Sequence, residues 1–134
     1  MRLVFAVCFF ALLILQMSTV RAIEGYTTFT HIAHREEWEA QKDSKFYAPS
    51  AYNPKDPDSF VHCTQADKKQ LSGVLERFFP NKTAELVLLF IDHDSVQAKV
   101  VEEKTPDGWF PHVYGAINKD AIYGVAPLDR SLMG

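Results

Sequence analysis

One segment, Glu85-Leu86-Val87-Leu88-Leu89-Phe90-Ile91, constrains the fold of this chain more than any other. Its side chains are apolar on both faces of an extended strand, so protein must cover both faces. A strand of this kind lies inside a sheet, between packed layers. One covering layer precedes it in the chain. Leu71, Val74, Leu75, Phe78 and Phe79 recur at i, i+3, i+4, i+7 and i+8, which puts them on one face of a helix. Thr64 is the expected N-cap, with Asp67 three residues on in a variant of the capping box. Pro80 ends the helix.

Other segments supply more strands. Residues 25–32, rich in Tyr, Thr and Phe, read as a first strand. Residues 34–42 form a short helix with Trp38 as its core anchor, weakly started because Ala33 is a poor cap. Residues 47–49 are extended, and residues 50–58, with Pro54 and Pro57, are loop. Residues 59–63, 99–103 and 121–127 read as strands, with a turn at Thr105-Pro106-Asp107-Gly108. Residues 109–115 look aromatic and irregular. Strands and two main helices mix without strict βαβ alternation. The expected class is therefore α+β, a single small domain with a mixed or split β-sheet.

The first 22 residues stand apart from this pattern. Arg2 is a short basic start, residues 3–15 are an unbroken apolar run, and Val20-Arg21-Ala22 offers small residues at cleavage spacing. That is the layout of a secretory signal peptide, cleaved after about Ala22. The run is short for a membrane span, and no other segment approaches the roughly 20 apolar residues a span needs. Residues 23–134 are then the expected mature domain, acting outside the cell. Cys8 leaves with the leader, so Cys63 is the sole cysteine and no intrachain disulfide is expected. Asn81-Lys82-Thr83 is a glycosylation sequon placed where a helix ends. Loss of Arg2 and Arg21 takes the formal charge from −3 to −5. An acidic domain is a poor general nucleic-acid binder.

Chemistry is concentrated in the histidines. His31, His62 and His112 each end or follow an apolar or aromatic segment, where a rigid strand meets a loop. Histidine suits such a place because its ring both donates and accepts, and its charge changes near neutral pH. Strand alternation sets His62 and Cys63 on opposite faces, so Cys63 reads as a small core residue and not as a partner of His62. The same rule puts Phe29 and His31 on one face and Ile32 on the other. Asp92-His93-Asp94 reads as a solvated turn, because adjacent residues do not converge easily on one ion and no matching ligand spacing exists. No metal site is expected. The charges of His34-Arg35-Glu36-Glu37 read mostly as a solvated helix face, with Arg35 near enough to His31 in sequence to meet an anion. Trp109, Phe110 and Tyr114 offer rings for stacking on a flat ligand.

The same segments carry a family resemblance. Thr30-His31-Ile32, Glu37-Trp38, Tyr47-Ala48-Pro49-Ser50, Phe60-Val61-His62-Cys63-Thr64, Arg77-Phe78-Phe79 and Phe110-Pro111-His112-Val113-Tyr114-Gly115 fall in order. Over about residues 27–128 the chain resembles a mostly bacterial family, domain of unknown function 952. That family has been grouped with the ADP-ribosyltransferase-like fold, a split sheet with a cleft for NAD. The resemblance implies that His31 holds the nicotinamide-side ribose, that His62 shapes the nicotinamide pocket, and that His112 lies near a third position. Glu103 is the candidate carboxylate there, a group that would stabilise an oxocarbenium-like state. Arg35, Thr64, Trp109, Phe110 and Tyr114 join as ligand-binding candidates.

Three functions compete on these grounds. One is an enzyme acting on NAD or a related nucleotide. Another is a secreted binding or structural protein on an inherited fold. The third is a metal-independent phosphoesterase or RNA-processing enzyme with two histidines as acid and base, needing Arg35, Arg77 or Lys68 for the phosphate.

Overall fold

The computed structural model describes residues 27–132. In chain order the elements are β1 (Thr28–His34), α1 (Arg35–Ala40), β2 (Phe46–Tyr47), β3 (Val61–His62), β4 (Thr64–Gln65) and α2 (Lys68–Phe78). There follow β5 (Leu86–Asp92), β6 (Lys99–Thr105), β7 (Gly108–Tyr114), β8 (Ile117–Asn118) and β9 (Ile122–Pro127). The strands form a four-stranded sheet ordered β4-β1-β5-β9, a three-stranded sheet ordered β3-β7-β6 and the pair β2-β8. Among the described residues every pairing is antiparallel. The domain is α+β, and its β-structure is split rather than mixed.

β5 is interior to its sheet, as its apolar faces require. It pairs with β1 from Thr28↔Asp92 to His34↔Leu86 and with β9 on its other side. Val87, Leu89 and Ile91 point into a core shared with Val61, Cys63 and Val113 of the three-stranded sheet and its margin. Leu86 and Leu88 point the other way, onto Leu71, Val74 and Leu75 of α2. The helical periodicity and the two-faced strand are thus halves of one packing arrangement.

Local differences from the sequence expectations have physical causes. Thr64 is not the cap of α2. It is buried in β4, where its hydroxyl lies 2.6 Å from that of Thr30. Asp67 caps the helix instead, its carboxylate accepting from the Lys69 N–H at 2.9 Å. α1 covers only Arg35–Ala40, and no side chain caps its start at His34. β1 runs on to His34, while Gly25 and Tyr26 lie outside the described residues, as does the whole leader.

Residues 109–115 are not irregular. Most of them belong to β7, the middle strand of its sheet. The expected turn joins β6 to β7 with Thr105 opposite Gly108, and Gly108 takes φ 121°, a conformation open to glycine. Pro111 hid the strand, since a proline argues against a central position. Its carbonyl accepts from the Cys63 N–H at 3.0 Å. Having no N–H, it cannot return the bond. The β3–β7 ladder therefore ends at His62, and the chain passes within two residues into β4 of the other sheet.

Leu89 sits at the centre of β5 with no exposed surface, and Leu89→Ala is expected to cost about 3 kcal/mol through the cavity it leaves. Val125→Ala, on the outer strand β9 and 46% exposed, should change stability by less than about 0.5 kcal/mol. Urea unfolding measures both, and equal losses would contradict this placement of the core.

Candidate functional site

The three-stranded sheet buries one face and offers the other to the site. Val61 and Val113, directly opposite each other, enter the core. His62 and His112, also directly opposite, share the reverse face. Glu103 on β6 pairs with Phe110, one pleat from His112 on the same face. The result is a row across three strands. Glu103 Oε1 lies 2.5 Å from His112 Nδ1, and His112 Nε2 lies 3.2 Å from His62 Nδ1. The Tyr114 hydroxyl donates to the same Glu103 oxygen at 2.7 Å. Phe60 stacks on the His112 ring at 3.9 Å between centroids, holding it in plane.

His31 approaches from β1 in the other sheet. Its Nδ1 lies 2.8 Å from the backbone carbonyl of His62. A carbonyl only accepts, so His31 carries its proton on Nδ1, and in the neutral ring Nε2 is left as an acceptor. His31 is buried, packs on the Tyr47 ring, and its Nε2 has no partner. His62 Nε2 and the Tyr47 hydroxyl are also buried and unpartnered. Burial lowers the His31 pKa to about 4, against the hydrogen bond to His62, which favours the charged form. Burial, then the neighbouring imidazoles of His112 and His31, brings His62 to about 4 as well. Both rings are neutral at physiological pH. Glu103 is held below the usual carboxylate range by its bonds from His112 and Tyr114, and Tyr114 is raised by the same carboxylate.

His31, His62 and Tyr47 line one cavity of about 450 Å³, walled by Phe60, Phe78 and Phe79. Glu37 from α1 also lines it, its two oxygens accepting from the N–H and hydroxyl of Ser50 at 2.9 and 3.0 Å. A second cavity of about 520 Å³ shares His62, Val74 and Phe78 with the first and carries Lys69 and Arg77 on its wall. Phe78, 56% exposed, stands at the boundary.

The structure brings His31, His62 and Thr64 to the first cavity and sets His112 directly behind His62. Phe110 lies in the second cavity against the His62 ring. Arg35 lines neither cavity; it pairs with Glu39 and Glu85 at the surface. Trp109 is 55% exposed beneath Lys104, and Tyr114 is committed to Glu103, so neither is among the lining residues. Cys63 points into the core, opposite His62, with its thiol pKa raised by burial. Asp92 caps a short turn at His93–Ser95, and no cluster of metal-ligating side chains occurs among the described residues. Glu37 is the residue that sequence reasoning misses. Its charge reads as part of a solvated face, although Glu37-Trp38 and Tyr47-Ala48-Pro49-Ser50 are both family blocks and supply its partner Ser50.

A small α+β domain with two neutral histidines, His31 buried and His62 half-buried, facing an aromatic-walled cavity is thus defined by fold and site. Residues 32–125 match the family described as "Protein of unknown function (DUF952)", and the chain belongs to that family. Similar solved structures are those of CC0527 from Caulobacter crescentus. Its crystal structure is 26% identical with a TM-score of 0.63, covering 77% of this chain and 87% of that one. The crystal structure of a CC0527 double mutant gives the same figures. The solution structure gives a TM-score of 0.58 over 76% of this chain and 84% of CC0527. No curated protein matches the chain. No helix among the described residues is long and apolar enough to cross a membrane.

The neutral histidines have a thermodynamic consequence. In the unfolded chain each titrates near its ordinary value of 6.5, whereas in the folded chain each stays neutral down to about pH 4. Between these values the unfolded state binds more protons, so stability falls as pH falls. His31 alone contributes on the order of 3 kcal/mol that is present above pH 6.5 and lost by about pH 4. Urea midpoints measured across this window should decline steadily, and should decline less in His31→Gln. A flat profile would show that His31 is charged in the fold.

Proposed function

We propose that this is a secreted domain that binds NAD or a related nucleotide in the histidine-lined cavity, as in the ADP-ribosyltransferase-like group. One observation carries the reading. Three buried polar atoms without partners, His31 Nε2, His62 Nε2 and the Tyr47 hydroxyl, belong to residues of a single cavity wall. Buried polar groups are otherwise satisfied, and leaving one unpaired costs about 1–3 kcal/mol. A bound ligand supplies what is missing.

The chemistry of these atoms fits a nucleoside. His31 Nε2 is an acceptor, so its ligand partner is a donor such as a ribose hydroxyl or an amide N–H. The Phe60, Phe78 and Phe79 rings suit a flat ring. Among the described residues no Lys or Arg lines the first cavity, whereas Lys69 and Arg77, the latter paired with Asp107, line the adjoining one. The sugar and base then sit with the histidines and the phosphates beyond Phe78. A phosphoesterase has less support, since it needs the cation beside both histidines. Bound NAD would supply a labile glycosidic bond, and Glu37 is the carboxylate on the cavity wall.

NAD at millimolar concentration should raise the melting temperature of the wild-type domain. His31→Ala and Tyr47→Phe should abolish or weaken that shift while the unliganded fold persists. No shift with NAD, ADP-ribose or nicotinamide mononucleotide would end this reading. Secretion has its own test. Asn81 is exposed, with its side-chain oxygen accepting from the Thr83 N–H and hydroxyl at 3.0 and 2.8 Å. Expressed in a eukaryotic secretory host, the chain should enter the medium as a glycoform that an endoglycosidase collapses. Asn81→Gln should already migrate at the collapsed position, and intracellular retention of unmodified wild type would contradict the assignment.

A further inference from the structure

We propose that Glu103, acting through His112, fixes His62 as the Nδ1–H tautomer, and that one proton taken up by His112 reverses His62 from acceptor to donor in the cavity. Two contacts in series join Glu103, His112 and His62. Glu103 Oε1 faces His112 Nδ1 at 2.5 Å, and a carboxylate held ionised can only accept, so His112 Nδ1 carries a proton. In neutral His112, Nε2 is then a lone pair. It faces His62 Nδ1 at 3.2 Å, and two lone pairs do not make a hydrogen bond, so His62 Nδ1 is the protonated nitrogen. His62 Nε2 becomes an acceptor at the cavity wall, the same polarity as His31 Nε2.

A proton added to His112 must go to Nε2, since Nδ1 already holds one. The new N–H points at His62 Nδ1, which has to become the acceptor. The His62 proton then resides on Nε2. His62 remains neutral throughout; only the position of its hydrogen changes. Its own protonation is opposed by burial. The charge on His112 is met by Glu103, and the His112 ring is kept in line by the Phe60 stack. Other groups bear on the row. Tyr114 from β7 shares the Glu103 oxygen, Lys99 of β6 acts on Glu103, and Asp58 acts on Tyr114. His31 from β1 and Glu37 from α1 face the first cavity with His62, while Asp67, Lys69, Arg77 and Asp107 line the second.

The ligand class follows for the site, and this step rests on the nucleotide reading above. With His112 neutral, two lining residues carry acceptor nitrogens, and side-chain movement that uncovers them selects a ligand with two donors, such as neighbouring ribose hydroxyls. With His112 charged, it presents one acceptor and one donor and selects against that ligand. Glu103 and His112 are positioning residues, because they act on the ligand only through His62.

The test uses nitrogen-15 labelled full-length domain and long-range proton–nitrogen correlation of the imidazoles, which reads tautomers without a ligand. Where the His112 signals show a single ring proton, His62 should show a protonated Nδ1 and a bare Nε2. On acidification His112 should gain its second proton, and the His62 pattern should invert at the same midpoint. Glu103→Gln removes the charge and keeps an oxygen acceptor. It should move the inversion to lower pH, because the charge that favours protonated His112 is gone. Tyr114→Phe, which leaves the row intact, should keep the inversion. A bare His62 Nδ1 beside a singly protonated His112, or an inversion that ignores Glu103→Gln, would overturn the proposal. NAD affinity measured on both sides of the midpoint adds the ligand arm, with a drop of about tenfold or more expected on the acid side. Absence of NAD binding with the tautomers as described would defeat the nucleotide reading alone. NAD binding with the opposite tautomer would defeat the relay alone.

Discussion

The hydrogen bond from His31 Nδ1–H to the His62 carbonyl is the constraint on which the rest of the site depends. It spans two sheets. β3 and β4 are one nearly continuous segment that leaves the three-stranded sheet after His62 and joins the four-stranded sheet at Thr64. A chain that changes sheets strands backbone groups at the crossing, and buried ones must find partners. Cys63 gives its N–H to Pro111, and the His62 carbonyl accepts from a side chain of β1. A histidine does this where a smaller donor would not, because its ring reaches across the gap and still leaves a second nitrogen at the cavity.

That single bond determines much of the chemistry. It protonates His31 on Nδ1, and burial then keeps the ring neutral. Because the partner is the backbone of His62, the same bond anchors the strand from which the His62 side chain projects. The two imidazoles are held in fixed relation by main chain, with His112 and Glu103 supporting the second from behind. Sites built on strands with such support keep their geometry better than sites on free loops.

Much of this is legible in the residues. The two-faced strand at β5 and the periodicity of α2 reveal both core layers, because burial dictates spacing. Alternation separates His62 from Cys63 correctly, since a period of two has no exceptions within a regular strand. What escapes is non-local. Pro111 makes β7 look irregular, and only its pairing with Cys63 explains why a proline is tolerated there. Without β7 as a strand, the diagonal from Glu103 to His112 cannot be drawn, although each residue stands out by itself. Asp67 displaces Thr64 as a cap because Thr64 is needed in the core against Thr30. Arg35 is a ligand candidate by its nearness to His31 in sequence and Trp109 by its ring, but the structure directs them to Glu85 and Lys104 instead.

The two carboxylates of the site are separated by function as well as by position. Glu103 faces His112 and takes two hydrogen bonds, so its charge is spent on orienting imidazoles. Glu37 lines the cavity, and the Ser50 N–H and hydroxyl, one on each oxygen, orient it there. For the proposed ligand this arrangement is selective. An anion entering the first cavity meets Glu37, two acceptor nitrogens and aromatic walls, and gains no cation to offset its desolvation. A sugar and a flat ring meet acceptors and apolar surface, with Lys69 and the Asp107-paired Arg77 one side chain away for a phosphate. The polarity of the ligand along its length is thereby matched to the order of the two cavities, and His62, common to both walls, is the residue at which that polarity changes.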